Sequence, residues 1–269
     1  MSTSLTLDDA RLPALLSDGD LEVEGRIAGA SNSTLRCRID VPGHGDLLCV
    51  YKPVAGERPL WDFPEWTLGH RELAAFALSE ALGWHLVPPT AWREEGPGGP
   101  GMCQAWIEVD PQAEQVDVVR PGAAPPGWLR ILDATDGIGE PVELVHADSA
   151  ALRRIALFDV IANNADRKGG HILGDGAGRI WAIDHGVTFS TESKLRTVVW
   201  GWAGESISDG ELDDLTALRG VLGESYDPVD RWLSEDERET LRSRVSRLIA
   251  RGRFPQPSGR WPAIPWPVF

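Results

Sequence analysis

The stretch that decides the fold is residues 156–190, ALFDVIANNADRKGGHILGDGAGRIWAIDHGVTFS. Its apolar first part ends at Asn163 and gives way to a polar loop, DRKGGH, at residues 166–171. Two short apolar runs follow at residues 172–173 and 179–183, on either side of a glycine-rich turn. This pattern predicts a buried helix, then a charged loop, then a β-hairpin.

Acidic residues stand at both ends of this loop and hairpin. Asp166 begins the loop, and Asp184 follows the second run of the hairpin. A helix, loop and hairpin in this order commonly present two such carboxylates to one cleft. Carboxylates beside Arg167 and Lys168 suit metal–phosphate chemistry, in which one carboxylate aligns a hydroxyl group and the other holds a divalent ion.

The same residues carry a family resemblance. Asn-x-Asp-Arg at 164–167, a polar residue five positions after the aspartate, and Ile-Asp-x-Gly at 183–186 resemble the catalytic and metal-binding loops of the phosphatidylinositol 3-/4-kinase superfamily. The type II phosphatidylinositol 4-kinases and the HipA-like bacterial protein kinases look most similar, as does an actinobacterial group of uncharacterised kinase-like proteins. The resemblance is strong over residues 156–190 and looser elsewhere.

The resemblance implies an α+β, two-lobed protein-kinase-like fold. Residues 1–107 would form a small β-rich N-lobe that binds the nucleotide phosphates. Residues 108–269 would form a mainly helical C-lobe with the catalytic loop and the metal-binding aspartate. The expected cofactors are ATP and Mg²⁺ or Mn²⁺.

The resemblance also assigns roles in the loop. Asp166 would align and deprotonate the acceptor hydroxyl, and Arg167 would brace the loop. Lys168 would offset charge on the transferring phosphoryl group, and Asp184 would chelate the metal that bridges the phosphates.

His171 departs from the family pattern, which usually has Asn five residues after the catalytic aspartate. Imidazole is a poor Mg²⁺ ligand and suits Mn²⁺ or Zn²⁺ better. His171 therefore marks a changed metal preference, a hydrogen-bonding substitute or a loss of catalysis. As a second softer ligand, His185 would fit the first of these.

A predicted hairpin near the N-terminus offers a lid for phosphates. Residues 21–27 and 35–41 read as strands, and the turn between them contains Ser31, Asn32 and Ser33. Such a tip supplies backbone N–H groups and hydroxyls to phosphates, or it is a plain hairpin turn.

Lys52 ends the next predicted strand, residues 46–53, where kinase-like folds place the lysine that contacts the nucleotide phosphates. Thr67 is expected to cap the following helix, and Gly83 to end it. By resemblance Glu72 in this helix would pair with Lys52, with Glu80 as the competing candidate.

The linker between the lobes is expected at residues 102–109, with Gln104 to Glu108 meeting the adenine. Residues 96–101, GPGGPG, formally match a dinucleotide-binding fingerprint, but two prolines interrupt it and no helix follows, so we read it as a loop. Residues 110–141 are rich in Pro, Gly, Asp and Ala, which predicts a long connection or an insertion that is mobile and faces the substrate.

The remaining expectations concern secondary structure. Asp148 is expected to cap the helix that leads into the central stretch, and residues 187–209 to form the activation or substrate loop. Strand 86–92 and the helices 5–17, 211–223 and 234–251 complete the prediction; the last helix carries a capping box at Ser234 and Glu237.

Composition limits the functional classes. The net charge of −15 opposes non-specific nucleic-acid binding. No apolar run reaches the roughly 18 residues of a membrane span, and the N-terminus does not resemble a signal peptide. Three widely spaced cysteines make a disulfide framework unlikely, so a cytoplasmic protein is expected.

Three functional classes stay open. The first is an ATP-dependent kinase that acts on a protein Ser/Thr or a small-molecule hydroxyl. The second is a pseudokinase that binds nucleotide or another protein, and the third transfers AMP on the same fold. A metal-dependent hydrolase is disfavoured because it would need a tight His/Asp ligand cluster.

Overall fold

The computed structural model describes residues 6–29, 32–224, 227–259 and 262–269. The N-terminal part is built on an antiparallel five-stranded sheet with strand order β1-β2-β3-β5-β4. Its strands are β1 (Leu21–Arg26), β2 (Leu35–Val41), β3 (Gly45–Pro53), β4 (Thr90–Arg93) and β5 (Gly101–Ala105); its helices are α1 (Leu12–Asp18) and α2 (Leu68–Ala81).

Alternating burial explains how this sheet packs. In β3 the side chains of Leu47, Cys49 and Tyr51 are buried, and Leu12 and Leu16 of α1 pack in the same cluster. Successive side chains of a strand point to opposite faces, so Lys52 lies on the other face of the sheet.

The C-terminal part contains three longer helices and two small sheets. The helices are α3 (Ala150–Ala162), α4 (Asp209–Val221) and α5 (Glu235–Arg251). Strands β6 (Val116–Val119), β7 (Trp128–Thr135) and β8 (Pro141–Ala147) form one antiparallel sheet, and β9 (Ile172–Gly174) and β10 (Ile180–Ala182) form a hairpin. Of the helices in the described ranges, none has the length and apolar character needed to cross a bilayer.

Helix α2 joins the two parts. Its residues Ala75 and Leu78 belong to the same buried cluster as Phe158 of α3 and Leu241 of α5. A helix that packs on the C-terminal core while flanking the N-terminal sheet positions its side chains at the junction. The proposed lobe boundary at residue 107 stays a prediction.

Residues 110–141 are not a structureless connection, so of the two expectations only an insertion stays open. This segment forms β6, β7 and the start of β8, and Val116 with Leu144 of β8 joins the main core. Its glycines lie in the turns between these strands, where several adopt positive φ angles, for example Gly139 at +95°. Glycine adopts such angles without the penalty of a side chain, so a glycine-rich composition is compatible with short strands.

Two of the predicted helix caps are wrong. Ser149 caps α3 by accepting a hydrogen bond from Leu152 N, whereas the preceding Asp148 accepts one from Trp202 Nε1. Thr67 precedes α2, but its hydroxyl donates to a carbonyl. The carboxylate of Glu57 instead accepts from the first backbone N–H groups of α2.

The other predicted elements are found, with different ends. Helix α1 starts at Leu12, later than predicted, and residue 5 lies outside the described residues. Strand β4 begins at Thr90 because two prolines precede it, and proline lacks the N–H that a ladder needs. The hairpin after residue 171 and the capping box of Ser234 and Glu237 are confirmed.

The GPGGPG segment forms a loop that enters β5, as expected. A side chain at Gly96 would meet the ring of Tyr51, whose hydroxyl donates to the carbonyl of Gly99. These glycines therefore serve close packing against β3.

Candidate functional site

Three charged side chains meet where the sheet, α2 and the hairpin converge. Lys52 Nζ lies 2.7 Å from Glu72 Oε1 and 3.1 Å from Asp184 Oδ1. Lys52 comes from the end of β3, Glu72 from α2, and Asp184 from the residues after β10. Asp184 adopts a left-handed backbone, with φ of 60°. Such a conformation is unusual for a residue other than glycine, and it recurs at functional sites.

Glu72 is held from both sides. Its Oε2 accepts a hydrogen bond of 2.8 Å from the backbone N–H of His185, and its side chain is buried. Glu80 lies elsewhere, exposed, 2.8 Å from the Nδ1 of His85. The structure therefore places Glu72, and not Glu80, beside Lys52.

Electrostatics keeps Lys52 and Asp184 ionised. The ammonium of Lys52 holds the pKa of the Asp184 carboxyl far below its usual range. Burial opposes the charge on Lys52, but the carboxylates of Asp184 and Glu72 together raise the pKa of the ammonium. A fixed cation between two carboxylates is suited to receive phosphate oxygens when a divalent ion shares one carboxylate.

The loop after α3 presents Asp166. Asn164 Oδ1 accepts a 2.9 Å hydrogen bond from Asp166 N, which fixes the turn. The Asp166 side chain is part-exposed, and its Oδ2 lies 3.4 Å from Lys168 Nζ. Burial raises the pKa of the Asp166 carboxyl, and the ammonium of Lys168 opposes this change.

Arg167 is fully buried and connects the loop to its surroundings. Its Nε donates to both oxygens of Asp159, at 3.0 and 3.1 Å. Its Nη1 donates to the carbonyls of His171 and Ile183, and its Nη2 donates to Nε2 of His185 at 2.7 Å. One guanidinium thus ties the loop to α3, to the start of β9 and to the residues after β10.

His171 faces Asp184. Its Nε2 lies 3.3 Å from Asp184 Oδ2, and its Nδ1 lies 3.5 Å from the backbone N of Lys168. Burial lowers the pKa of His171 to about 4, so the imidazole is neutral near pH 7. With Nδ1 accepting from the backbone N–H of Lys168, the hydrogen of the neutral ring is on Nε2, the nitrogen that faces Asp184.

His185 is buried and bound to Arg167. Because its Nε2 accepts from Arg167, its hydrogen is on Nδ1, which lies 3.9 Å from Glu72 Oε2. Burial lowers the pKa of this imidazole well below its usual value. The ring is fully buried behind Asp184, so the expectation that it is a second metal ligand is not supported.

The residues present fit a divalent ion that takes only one or two ligands from the protein and the rest from phosphates and water. Across the described ranges, no group of three or more His, Cys, Asp or Glu side chains is arranged to hold a metal. Asp184 and His171 form a pair of potential ligands 3.3 Å apart. Mg²⁺ and related ions at nucleotide sites are commonly held by one or two carboxylates, with phosphates and water completing the shell.

The predicted phosphate lid is only partly described. Ser31 lies outside the described residues. Asn32 Oδ1 accepts from the backbone N–H of Arg58, and Ser33 N donates to the carbonyl of Gly56. These contacts fasten the hairpin tip to the loop after β3. Phosphate binding by the tip stays a prediction.

The predicted adenine linker is divided between a strand and a loop. Gln104 lies inside β5, and its Nε2 donates to Thr90 Oγ1 at 2.8 Å. Glu108 is exposed beyond the end of the strand. Of the two, only Glu108 lies in the irregular segment that a linker would occupy, and adenine contact by either residue stays a prediction.

Two residues that hold the site in place were not predicted from the sequence. Asp159, which pairs with Arg167, also accepts hydrogen bonds from Asn164 and Thr197 and so fixes the loop that presents Asp166. A lone carboxylate in the apolar run of residues 155–162 was the available signal. Arg71 donates to the carbonyl of Thr188 and is paired with Glu237. These residues are more than 100 positions apart, so no local sequence pattern predicts the contacts.

Comparison with known proteins establishes the fold. No family model matches the chain. The structure of hydra Fam20 with sugar superposes with a TM-score of 0.51 and 14% identity, covering 92% of this chain and 90% of that one. The crystal structure of the Golgi casein kinase gives 0.52 and 16%, covering 93% and 77%. The predicted two-lobed, kinase-like α+β fold is therefore confirmed, whereas the narrower phosphatidylinositol 3-/4-kinase or HipA-like assignment is not.

A relative exists at much higher identity. Protein Rv2133c of Mycobacterium tuberculosis (strain ATCC 25618 / H37Rv) is 46% identical over 266 residues, which is 95% of this chain and 95% of that protein. The chain therefore belongs to the same family as Protein Rv2133c.

Proposed function

We propose that the protein is an ATP-dependent phosphotransferase of the phosphatidylinositol 3-/4-kinase-like superfamily, whose acceptor is a protein Ser/Thr or a small-molecule hydroxyl. The observation that carries the proposal is that Lys52 Nζ lies 2.7 Å from a carboxylate oxygen of Glu72 and 3.1 Å from one of Asp184. The kinase-like fold of the two structural neighbours supports it.

Lys52 and Glu72 are the proposed nucleotide-binding pair. Glu72 is fixed by its second hydrogen bond to His185 N, so it holds the Lys52 ammonium in a constant place. A preorganised cation stabilises the charge that develops on phosphate oxygens during transfer. Ser31, Asn32 and Ser33 would close over these phosphates, and the segment from Gln104 to Glu108 would meet the adenine.

Asp166 is the proposed base. It takes the proton of the acceptor hydroxyl while that oxygen forms a bond to the γ-phosphorus of ATP. The bond from the γ-phosphorus to the oxygen it shares with the β-phosphate breaks, and ADP leaves with that oxygen. Lys168, whose Nζ lies 3.4 Å from Asp166 Oδ2, would offset negative charge on the phosphoryl group that is transferred.

Asp184 and His171 would hold Mg²⁺ or Mn²⁺, an ion that neutralises charge on the nucleotide phosphates. Asp184 stays ionised because of Lys52, and His171 stays neutral because of burial, so both are in the protonation state that a ligand needs. His171 must give up its Nε2 hydrogen, by moving it to Nδ1, before it can ligate.

A second candidate is a catalytically degenerate kinase that binds nucleotide or another protein. It is favoured by the position of His171, whose Nε2 lies 3.3 Å from Asp184 Oδ2, beside an oxygen that a metal would use. The substitution His171→Asn tests it. An active enzyme that tolerates His171 gains little Mg²⁺-dependent transfer, whereas a degenerate one regains it.

We also propose a cytoplasmic location. All three cysteines are free and buried, and Cys37 and Cys49 face each other across β2 and β3 without a disulfide. Reduced thiols are usual for proteins of the cytoplasm.

The experiment is intact-mass analysis after incubation with ATP and Mn²⁺, together with release of ADP, for the natural sequence and Asp166→Ala. Mass added by a phosphoryl group, or ADP release, that is lost in Asp166→Ala supports phosphotransfer. Mass added by an adenylyl group would assign AMP transfer to the same fold. Equal turnover by both proteins would contradict the assignment of Asp166.

A further inference from the structure

Exposed aromatic side chains are concentrated in two segments. Across the described residues, the aromatic side chains that are largely exposed are Trp61 (87%), Trp66 (50%), Trp266 (74%) and Phe269 (50%). The first two lie in the loop between β3 and α2, and the other two in residues 262–269. Exposed apolar surface that is clustered, and not scattered, marks an interaction site.

The first segment is anchored to the catalytic loop. Phe63 is buried against Ala165, the neighbour of Asp166, and Val187 packs on the same cluster. Asp62 pairs with Lys194 at 2.9 Å, and the Lys194 ammonium lies 5.2 Å from the ring centre of Trp61.

Lys194 also contacts the loop that presents Asp166. Its backbone N donates to Asn163 Oδ1, at the start of the loop that presents Asp166. Trp66 adopts a φ of 64°, which is unusual for a bulky residue. The loop between β3 and α2 is therefore held by these contacts while its tryptophans stay exposed.

The second segment is anchored on the other side of Asp166. Gly169 N donates to the carbonyl of Val268 at 2.8 Å, and the ring of Phe269 packs so closely on Gly169 that a Cβ there would overlap it. The carbonyl of Ala263 accepts from Thr197 N and from Trp200 Nε1. Residues 262–269 therefore pack against the loop that presents Asp166.

From this arrangement we propose that Trp61 and Trp266 form a docking surface for a polypeptide acceptor, whose Ser or Thr hydroxyl is delivered to Asp166. The inference rests on the proposed phosphotransferase function and selects the acceptor class. One segment packs on Ala165, which directly precedes Asp166, and the other packs on Gly169, three residues after it. The transfer step is the one written above for Asp166.

Exposure and charge favour a polypeptide over a small molecule. Sites for small ligands are concave and enclose most of the ligand, whereas an indole exposed by 87% protrudes. Tryptophan is enriched among the residues that dominate protein–protein binding energy. The exposed carboxylates of Glu65 and Glu192 lie in the same surroundings, which disfavours an anionic headgroup and favours apolar or basic residues around the accepting hydroxyl.

The test uses the full chain, Trp61→Ala, Trp266→Ala and, as a matched control, Ile138→Ala, because Ile138 is equally exposed (85%) in the turn between β7 and β8. The probes are a pool of random peptides with a central Ser, myo-inositol and free serine, each with labelled ATP and Mn²⁺. Binding of the labelled peptide pool to Asp166→Ala, with and without Trp61→Ala, is measured by fluorescence anisotropy.

We expect transfer to peptides. Trp61→Ala should raise the peptide KM or Kd about tenfold or more, as for a binding hot spot, without changing ATP affinity. Ile138→Ala should leave both unchanged. Unchanged peptide KM in both tryptophan variants, or transfer to myo-inositol or serine alone, would overturn the docking surface. Failure of the natural protein to bind ATP would refute the proposed function itself, and the inference with it.

Discussion

Lys52 and Glu72 form an ion pair of 2.7 Å between the sheet and helix α2, although 20 residues separate them in the chain. The other oxygen of Glu72 binds the backbone of His185, next to Asp184. Because one carboxylate contacts both Lys52 and the segment of Asp184, the position of α2 sets the geometry of both.

Replacement of Glu72 should weaken nucleotide binding. Glu72→Gln removes the charge that orients Lys52, and a hydrogen bond to a charged group is worth about 1.5–3 kcal/mol, so ATP affinity should fall by roughly tenfold or more. Glu80→Gln is the matched control on the same helix and should bind ATP normally. Calorimetry checks both, and equal losses would show that Glu72 has no special role.

The rate should depend on the ionisation of Asp166. Only the carboxylate accepts a proton, and burial raises the Asp166 pKa, so kcat should fall with decreasing pH from a point above the usual range of an aspartate. The pKa of His171, about 4, lies below the usual range of an imidazole, so the ring stays neutral over most of this fall in kcat. A pH profile of His171→Asn should therefore keep the acid limb of the natural protein. Its disappearance would assign the limb to the imidazole.

Arg167 should be essential for stability. Arg167→Met leaves the Asp159 carboxylate buried without its cation, which should cost about 3–5 kcal/mol of the free energy of unfolding. Lys168→Met, at the next residue, removes a partly exposed charge and should change stability by about 0.5 kcal/mol or less. Urea denaturation measures both, and equal effects would contradict the bracing role.

Glu237 should stabilise the fold through Arg71. Its Oε1 pairs with the buried guanidinium of Arg71, while Oε2 completes the capping box with Ser234. Glu237→Ala leaves a buried cation without its partner and should cost about 3 kcal/mol or more. Glu239→Ala, an exposed position in the same helix, should cost less than about 0.5 kcal/mol. If the two variants unfold at the same urea concentration, the pair contributes little.

Local pattern was sufficient for the central stretch. Residues 156–190 carry a helix, a loop and a hairpin whose boundaries depend on neighbours in sequence, such as Asn163, which ends α3 in a left-handed conformation. The pairing of Lys52 with Glu72, and not with Glu80, was expected from the family resemblance and is found in the structure.

Long-range packing explains what the sequence did not reveal. Residues 116–119 and 128–135 pair through β8, a later segment, and their composition resembles that of a loop. The caps at Ser149 and Glu57 were missed because several acceptors compete near each helix start, and tertiary contacts such as Trp202 with Asp148 decide between them. Packing of residues 262–269 on Gly169 connects positions about 100 residues apart and leaves no periodic signal.

The most direct test of the central claim is calorimetric titration of ATP into the natural protein and Asp184→Ala, without metal, with Mg²⁺ and with Mn²⁺. The natural protein should bind ATP more tightly when a divalent ion is present, and Asp184→Ala should lose that gain while keeping its fold. Binding that is absent under every condition, or a metal-dependent gain that survives in Asp184→Ala, would contradict a nucleotide site built on Lys52, Glu72 and Asp184.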